Sequence, residues 1–158
     1  MPTPVLRAAR SDEAELLSEL ALRAKASWGY SRDLMKSFQV ELTLTAADLD
    51  DVFVVEVGGT VAGFFSLQVV SPVRAELGHL FVEPAAQQKG LGGLLIADAI
   101  RRARARGFRS LEIQGDPNAA QFYERVGAAR IGERESASVP GRMLPLFEIA
   151  IDELTSAR

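Results

Sequence analysis

The residues with the clearest chemistry sit in one stretch. Leu80-Phe81-Val82-Glu83-Pro84 is followed by Gln87-Gln88-Lys89-Gly90-Leu91-Gly92-Gly93, and then by a helix-like run from Leu94 to Arg106. An apolar strand therefore enters a glycine-rich turn that opens directly into a helix. Such a turn aims backbone N–H groups at one point, at the positive end of a helix dipole. That is a site for phosphate, and so for a phosphate-bearing cofactor. Two phosphate motifs can be checked by spacing. A P-loop needs G-x-x-x-x-G-K-[ST], and that string is absent. A dinucleotide fingerprint G-x-G-x-x-G begins at Gly90 and Gly92 but meets Leu95 in its third place. The remaining match is [RQ]-x-x-G-x-[GA], satisfied by Gln87, Gly90 and Gly92.

The elements that must position this turn follow from periodicity and punctuation. Val5 to Ala9 reads as a first strand. Ser11 and Asp12 offer N-caps to a helix with Leu16, Leu17, Leu20 and Ala24 on its apolar face. Trp28-Gly29-Tyr30 interrupts it, and Ser31 caps a second helix carrying Leu34, Met35, Phe38 and Leu42. Val52–Val57 and Thr60–Val70 read as strands joined by a Gly58-Gly59 hairpin turn, where glycine tolerates positive φ. Ala75–Val82 is the strand that feeds the turn. After the helix from Gly90 to Arg106, Ser110–Gln114 reads as a strand. Asp116-Pro117 reads as an N-cap and N1 proline, starting a helix that ends at Gly127. Ala128–Glu135 and Leu144–Ile151 close the order as strands, with a polar loop from Ser136 to Arg142 between them.

Bulk composition narrows the classes. The chain has 158 residues, which predicts one domain over residues 1–158. The net charge of −3 argues against a nucleic-acid binder, whose domain is usually basic. There is no cysteine, which excludes disulfides and thiol nucleophiles. A single histidine leaves no multi-histidine metal site, and no metal is expected. No apolar run approaches the roughly 20 residues of a membrane span, and no signal peptide is visible. A cytoplasmic protein without membrane or nucleic-acid partners is the expectation.

A second signature lies downstream. Asp116-Pro117-Asn118-Ala119-Ala120-Gln121-Phe122-Tyr123-Glu124-Arg125-Val126-Gly127-Ala128 fits N-x-x-A-x-x-F-Y-x-x-x-G-[FA] at its Ala, Phe, Tyr and Gly positions. Together with the turn, in this order, the chain resembles the GNAT superfamily of acetyl-CoA-dependent N-acetyltransferases. The resemblance runs from about Val5 to Ile151 and is weakest over the first fifty residues. It implies an α/β fold: a mixed, mostly antiparallel sheet flanked by helices on both faces. It also implies acetyl-CoA as co-substrate. Leu80, Phe81 and Val82 would pair with the pantetheine arm. Gln87, Gln88, Lys89, Gly90, Leu91, Gly92 and Gly93 would hold the pyrophosphate. One departure stands out: the family's usual Asn falls on Asp116. Asn118 is placed to take over its cofactor contact, and Asp116 to cap the helix.

The resemblance also suggests roles in catalysis. Acyl transfer from a thioester expels a thiolate, and Tyr123 would protonate it as general acid; the alternative is a packing aromatic. An amine must lose its proton before attack, and a carboxylate could take it directly or through water. Glu76 is one candidate base. Strict alternation along the strand would put Glu76, Gly78, Leu80 and Val82 on one face. His79 is the rival and would point the other way unless a bulge intervenes. The Val82 N–H would steady the negative charge that builds on the carbonyl oxygen.

On the acceptor side, Trp28, Tyr30 and Phe38 could shape a pocket and Arg142 could bind an anionic group. The arginines from Arg101 to Arg106 read as a solvated helix face rather than a phosphate contact. The expected reaction is direct transfer of an acetyl group from acetyl-CoA to a small-molecule primary amine. A peptide or protein N-terminus is the alternative acceptor. A non-catalytic acyl-CoA-binding or sensing module is the alternative of another class. GNAT proteins often pair through late strands, so a homodimer interface over Leu144–Ile151 is a further implication.

Overall fold

The computed structural model describes residues 2–151. Seven strands form one sheet in the order β1-β2-β3-β4-β5-β7-β6. They are β1 (Val5–Ala8), β2 (Val52–Val57), β3 (Thr60–Ser71), β4 (Arg74–Val82), β5 (Ser110–Gln114), β6 (Ala129–Glu135) and β7 (Met143–Ala150). Every neighbouring pair is antiparallel except β4 and β5. Among the described residues four α-helices flank the sheet: α1 (Ala14–Ala26), α2 (Arg32–Leu42), α3 (Leu91–Ala105) and α4 (Ala120–Arg125). The expected class, a mostly antiparallel sheet with helices on both faces, is what the chain forms. None of its described helices is long and apolar enough to cross a membrane.

The core lies on both sides of the sheet, which explains the near-continuous apolar runs of the central strands. Leu17, Leu20, Phe38, Leu42, Val52, Val54 and Phe64 pack under α1 and α2. Val55, Phe65, Leu67, Leu77, Leu95, Leu111 and Phe147 pack under α3 and α4. Gly58 and Gly59 carry φ of +61° and +82° in the β2–β3 hairpin, as its tight turn requires. The helix expected from Asp116 to Val126 begins as a tight 3₁₀ turn over Pro117–Ala119 before α4. Asp116 caps that turn, its carboxylate accepting from the Asn118 N–H.

Two irregularities in β4 position the site. First, β4 pairs with β5 only from Arg74↔Ser110 to Leu77↔Ile113, after which the two strands have no further paired residues. Second, β4 is bulged against β3. Ser66 pairs with His79 and Leu67 with Leu77, which leaves Gly78 as the extra residue. The bulge corrects the face assignment that strict alternation gives. Leu80 and Val82 pack with Ala75 and Leu77 on the α3 side. Phe81 packs on the α1–α2 side, and Glu76 and His79 share that side with it. Glycine leaves room at position 78: a Cβ there would lie 2.8 Å from Ser66 Oγ, so the Ser66 side chain would have to shift.

Candidate active site

One cavity of about 690 Å³ opens between β4 and β5. Its walls come from α1, α2, β4, the glycine turn, the segment after β5, α4 and the β6–β7 connection. Leu80, Phe81, Val82, Gln87, Gln88, Gly90, Leu91, Gly92, Gly93, Asn118, Tyr123, Glu76 and His79 all line it. Lys89 does not; it is exposed beside the turn. Trp28 lines the cavity, while Tyr30, Phe38 and Arg142 stand behind its wall.

The turn has the geometry expected for an anion. Gly90 is the N-cap residue of α3 in the left-handed conformation, with φ +78°. Gln88 also has positive φ, at +65°. Leu94 N–H donates to the Gly90 carbonyl, closing the first helical turn. The N–H groups from Gln88 to Gly93 have no acceptor among the described residues. Six backbone donors thus stand at the positive end of a 15-residue helix. Gly92 has a second function: a Cβ on it would sit 3.1 Å from the Phe122 ring, so glycine lets α3 close on α4.

The strand leading in is equally suited. Glu83 N–H donates to the Ala62 carbonyl. By antiparallel alternation, the N–H groups of Leu80 and Val82 then turn away from β3 into the gap beside β5. Gln87 Nε2 reaches the Val82 carbonyl at 3.4 Å from the same side. A linear arm with amide groups could pair with this exposed edge, and a phosphate could sit on the adjacent turn. The residues present therefore fit a phosphate-bearing cofactor with an amide-containing arm.

The sequence carries a family match over residues 15–128, to the model described as the acetyltransferase (GNAT) family. The chain belongs to that family. An uncharacterized N-acetyltransferase from Methanocaldococcus jannaschii is 34% identical over 93 residues. That alignment covers 53% of this chain and 41% of the relative, so the chain spans about two-fifths of that relative's length. The PaiA N-acetyltransferase of Thermoplasma acidophilum, solved with coenzyme A, superposes with a TM-score of 0.72 at 18% identity. It covers 94% of this chain and 99% of its own. The ribosomal-protein-S18-alanine N-acetyltransferase of Escherichia coli gives 0.70 at 22% identity, covering 95% of each chain. At these identities the structures establish the GNAT fold.

Within this GNAT chain the candidate acid is well buried. Tyr123 is 6% exposed and its ring packs on Phe122 and Phe147. Gly115 makes room for it: a Cβ there would lie 3.0 Å from the ring. Its hydroxyl has no hydrogen-bond partner among the described residues. Burial, helped by the Asp116 charge, pushes the phenol well above its ordinary range, so it carries its proton at any neutral pH.

The candidate bases differ in their partners. His79 Nε2 lies 3.1 Å from the Glu41 carbonyl, which can only accept, so Nε2 carries the hydrogen. Nδ1 lies 3.0 Å from Ser66 Oγ. Both ring nitrogens are therefore engaged. Glu76 receives one bond, from Arg134 to Oε2 at 3.3 Å. Burial raises its carboxyl above the ordinary range, and Arg134 only partly opposes this.

The acceptor end holds a polar knot that sequence reasoning saw only in pieces. Asp116 accepts from Lys25 Nζ at 2.7 Å, from the Tyr30 hydroxyl at 2.8 Å and from Asn118 N–H at 2.8 Å. Asn118 Nδ2 donates to the Tyr30 hydroxyl at 3.0 Å, and Arg142 donates to the same oxygen at 2.8 Å. Lys25 Nζ and the Arg142 guanidinium both lie over the Phe38 ring. Phe38 is fully buried core, and Tyr30 and Arg142 are spent on the knot. Lys25 gave no signal in the sequence, since a lysine near a helix C-terminus is ordinary. The arginine run on α3 is placed away from the turn. Arg101 and Arg102 clasp Asp98, and Arg106 reaches Asp51.

Proposed function

We propose that this chain transfers an acetyl group from acetyl-CoA to a primary amine of a small molecule, by direct attack with both substrates bound. The observation that carries the proposal is the single cavity lined at once by the glycine turn, the open edge of β4, Tyr123 and Glu76. Acetyl-CoA would supply an activated acyl carbonyl and a thiolate leaving group. Gln88 to Gly93 would hold its pyrophosphate, and the Leu80 and Val82 edge its amide arm. The Val82 N–H would stabilise charge on the carbonyl oxygen, a contribution of about 2.7–4 kcal/mol for one such donor elsewhere. Glu76 would take the proton from the amine. Its raised proton affinity narrows the gap to an alkylammonium, whose pKa is about 10.4. Tyr123 would donate to the departing sulfur. No cysteine exists to carry the acyl group covalently.

The acceptor end favours a compact amine. Ala24 and Lys25 of α1, Glu41 and Leu42 of α2, Ala137 of the β6–β7 connection and Leu144 of β7 wall it in. The test is acetyl-CoA titration followed by CoA release against small primary amines and N-terminal peptides, with Tyr123→Phe and Glu76→Gln beside wild type. Turnover confined to small amines is the expected result. Turnover on peptides alone would transfer the proposal to a peptide N-terminus. Tight cofactor binding without any turnover would indicate a binding module, and failure to bind acetyl-CoA would end the assignment.

A further inference from the structure

Three glutamates form a row across the sheet. Glu76 of β4 pairs in register with Glu112 of β5, and Glu112 with Glu148 of β7. Side chains in register on one face are near neighbours, and like charges there repel. Two arginines hold the row together. Arg74 binds Glu112 at 3.0 Å and Glu148 at 2.8 Å. Arg134 comes from β6, the edge strand, and binds Glu76 through Nη1 at 3.3 Å while its Nη2 binds Glu112. Glu112 is 5% exposed and lies outside the cavity wall, as does Arg134; Glu76 alone of the three carboxylates reaches the cavity.

We propose that Arg134 is a positioning residue for the acetyl transfer: it holds the Glu76 carboxylate by Oε2 and leaves Oε1 turned toward the acceptor amine. The guanidinium fork is suited to this, because its planar donors fix two carboxylates at once. Glu112 is the anchor. Nearly buried and gripped from both sides by Arg74 and Arg134, it fixes the arginine head that in turn fixes Glu76. A more distant strand thereby sets the orientation of the base. The inference rests on the reading of Glu76 as the base.

The pH behaviour follows from all charged groups around Glu76. Arg134 favours its ionised form. Glu112 and, beyond it, Glu148 disfavour it, and Arg74 offsets both from the far side. His79 lies on the same face, and Lys25, Glu41 and Asp116 reach the same cavity from α1, α2 and the segment after β5. Removing the Arg134 charge takes away an attraction and leaves Glu112 less neutralised, so both changes move Glu76 titration to higher pH.

The experiment is a side-chain carboxyl titration by ¹³C NMR on the full chain saturated with CoA, the Glu76 signal being identified by its loss in Glu76→Gln. Arg134→Gln should move the Glu76 midpoint upward, and Arg134→Lys should restore most of it. With the best amine from the panel above, Arg134→Gln should lose kcat/KM several-fold at acidic pH and far less at alkaline pH. A merely structural role would lower the rate equally at every pH. An unchanged midpoint in Arg134→Gln, with Glu76→Gln inactive, overturns the positioning role alone. Full activity in Glu76→Gln overturns the base reading and the positioning role with it.

Discussion

Lys25 and Asp116 form an ion pair, Nζ to Oδ2 at 2.7 Å, that ties the end of α1 to the cap of the segment carrying Tyr123. Their side chains are only 10% and 11% exposed. Removing one partner of such a pair leaves a charge without compensation, at a cost of about 3–5 kcal/mol, whereas neutralising both is far milder. Lys25→Met should therefore destabilise strongly, and Lys25→Met with Asp116→Asn should recover most of the loss. Urea unfolding of the two single variants and the double variant measures the coupling.

The same pair gives a sign to the acid response. Burial works against the Asp116 carboxylate, but Lys25, the Asn118 N–H and Tyr30 outweigh it and hold the group below the ordinary carboxyl range. Its folded pKa is depressed, so its contribution to stability is fully present above the unfolded value, about 3.9, and is lost as pH falls through the folded one. Unfolding free energy should fall below about pH 4 in wild type. Asp116→Asn should be less stable at pH 7 and show a shallower fall over that range; identical slopes would refute the assignment.

Tyr123→Phe isolates the hydroxyl. The ring packing on Phe122 and Phe147 is retained, and no hydrogen bond among the described residues is lost. Stability and CoA affinity should stay near wild type while kcat falls by about 10²-fold, the lower end of general-acid contributions. Because burial keeps the phenol protonated well above its ordinary range, Tyr123 should add no alkaline limb to kcat below pH 10. A limb near pH 9 that disappears in Tyr123→Phe would contradict this.

How much of this could be read from the chain depends on whether the determinant is local. The glycine turn, the Gly58-Gly59 hairpin and the Asp116 cap are short-range features, and each is written in adjacent residues. The mixed, mostly antiparallel sheet came through the resemblance, whereas the strand order and the parting of β4 from β5 arise from pairings between distant segments. The Gly78 bulge was not legible, because a glycine inside a strand marks a bulge, a bend or a close approach equally well. Missing it put Glu76 on the face of Val82 instead of that of His79. The polar knot was hidden for another reason: Lys25 and Tyr30, Asp116, and Arg142 come from three separated segments, and no spacing encodes their meeting. Arg134 and Glu112 were hidden likewise, since the strand register running through β4, β5, β7 and β6 brings them to Glu76.

The glycines of the turn should separate by function. Gly90 has φ +78°, where a residue with a Cβ pays about 1–2 kcal/mol. Gly90→Val should therefore lose both stability and CoA affinity. Gly93 lines the cavity, and a Cβ on it meets no protein atom within 4 Å. Gly93→Leu should keep its melting temperature yet weaken CoA binding by tenfold or more, a loss of about 1.4 kcal/mol. Calorimetric titration with CoA beside thermal melts distinguishes them. Unaltered affinity in Gly93→Leu would remove the phosphate-cradle reading of the turn.

The bulge offers the means to choose between the two candidate bases. His79 is held at Nε2 by the Glu41 carbonyl and at Nδ1 by Ser66, so it has no free lone pair for an amine. His79→Gln should keep kcat within a few-fold of wild type, while Glu76→Gln should lose at least 10²-fold, as expected when a general base is removed. Gly78→Ala tests the bulge itself. Its Cβ would meet Ser66 Oγ at 2.8 Å and Gln68 Cδ at 3.1 Å, forcing Ser66 off His79. The cost should be about 1–3 kcal/mol, as for other overpacked sites. The rate should fall further than His79→Gln lowers it, because shifting the bulge also moves Glu76 relative to the cavity. A Gly78→Ala protein with unimpaired kcat would show that the bulge serves packing alone.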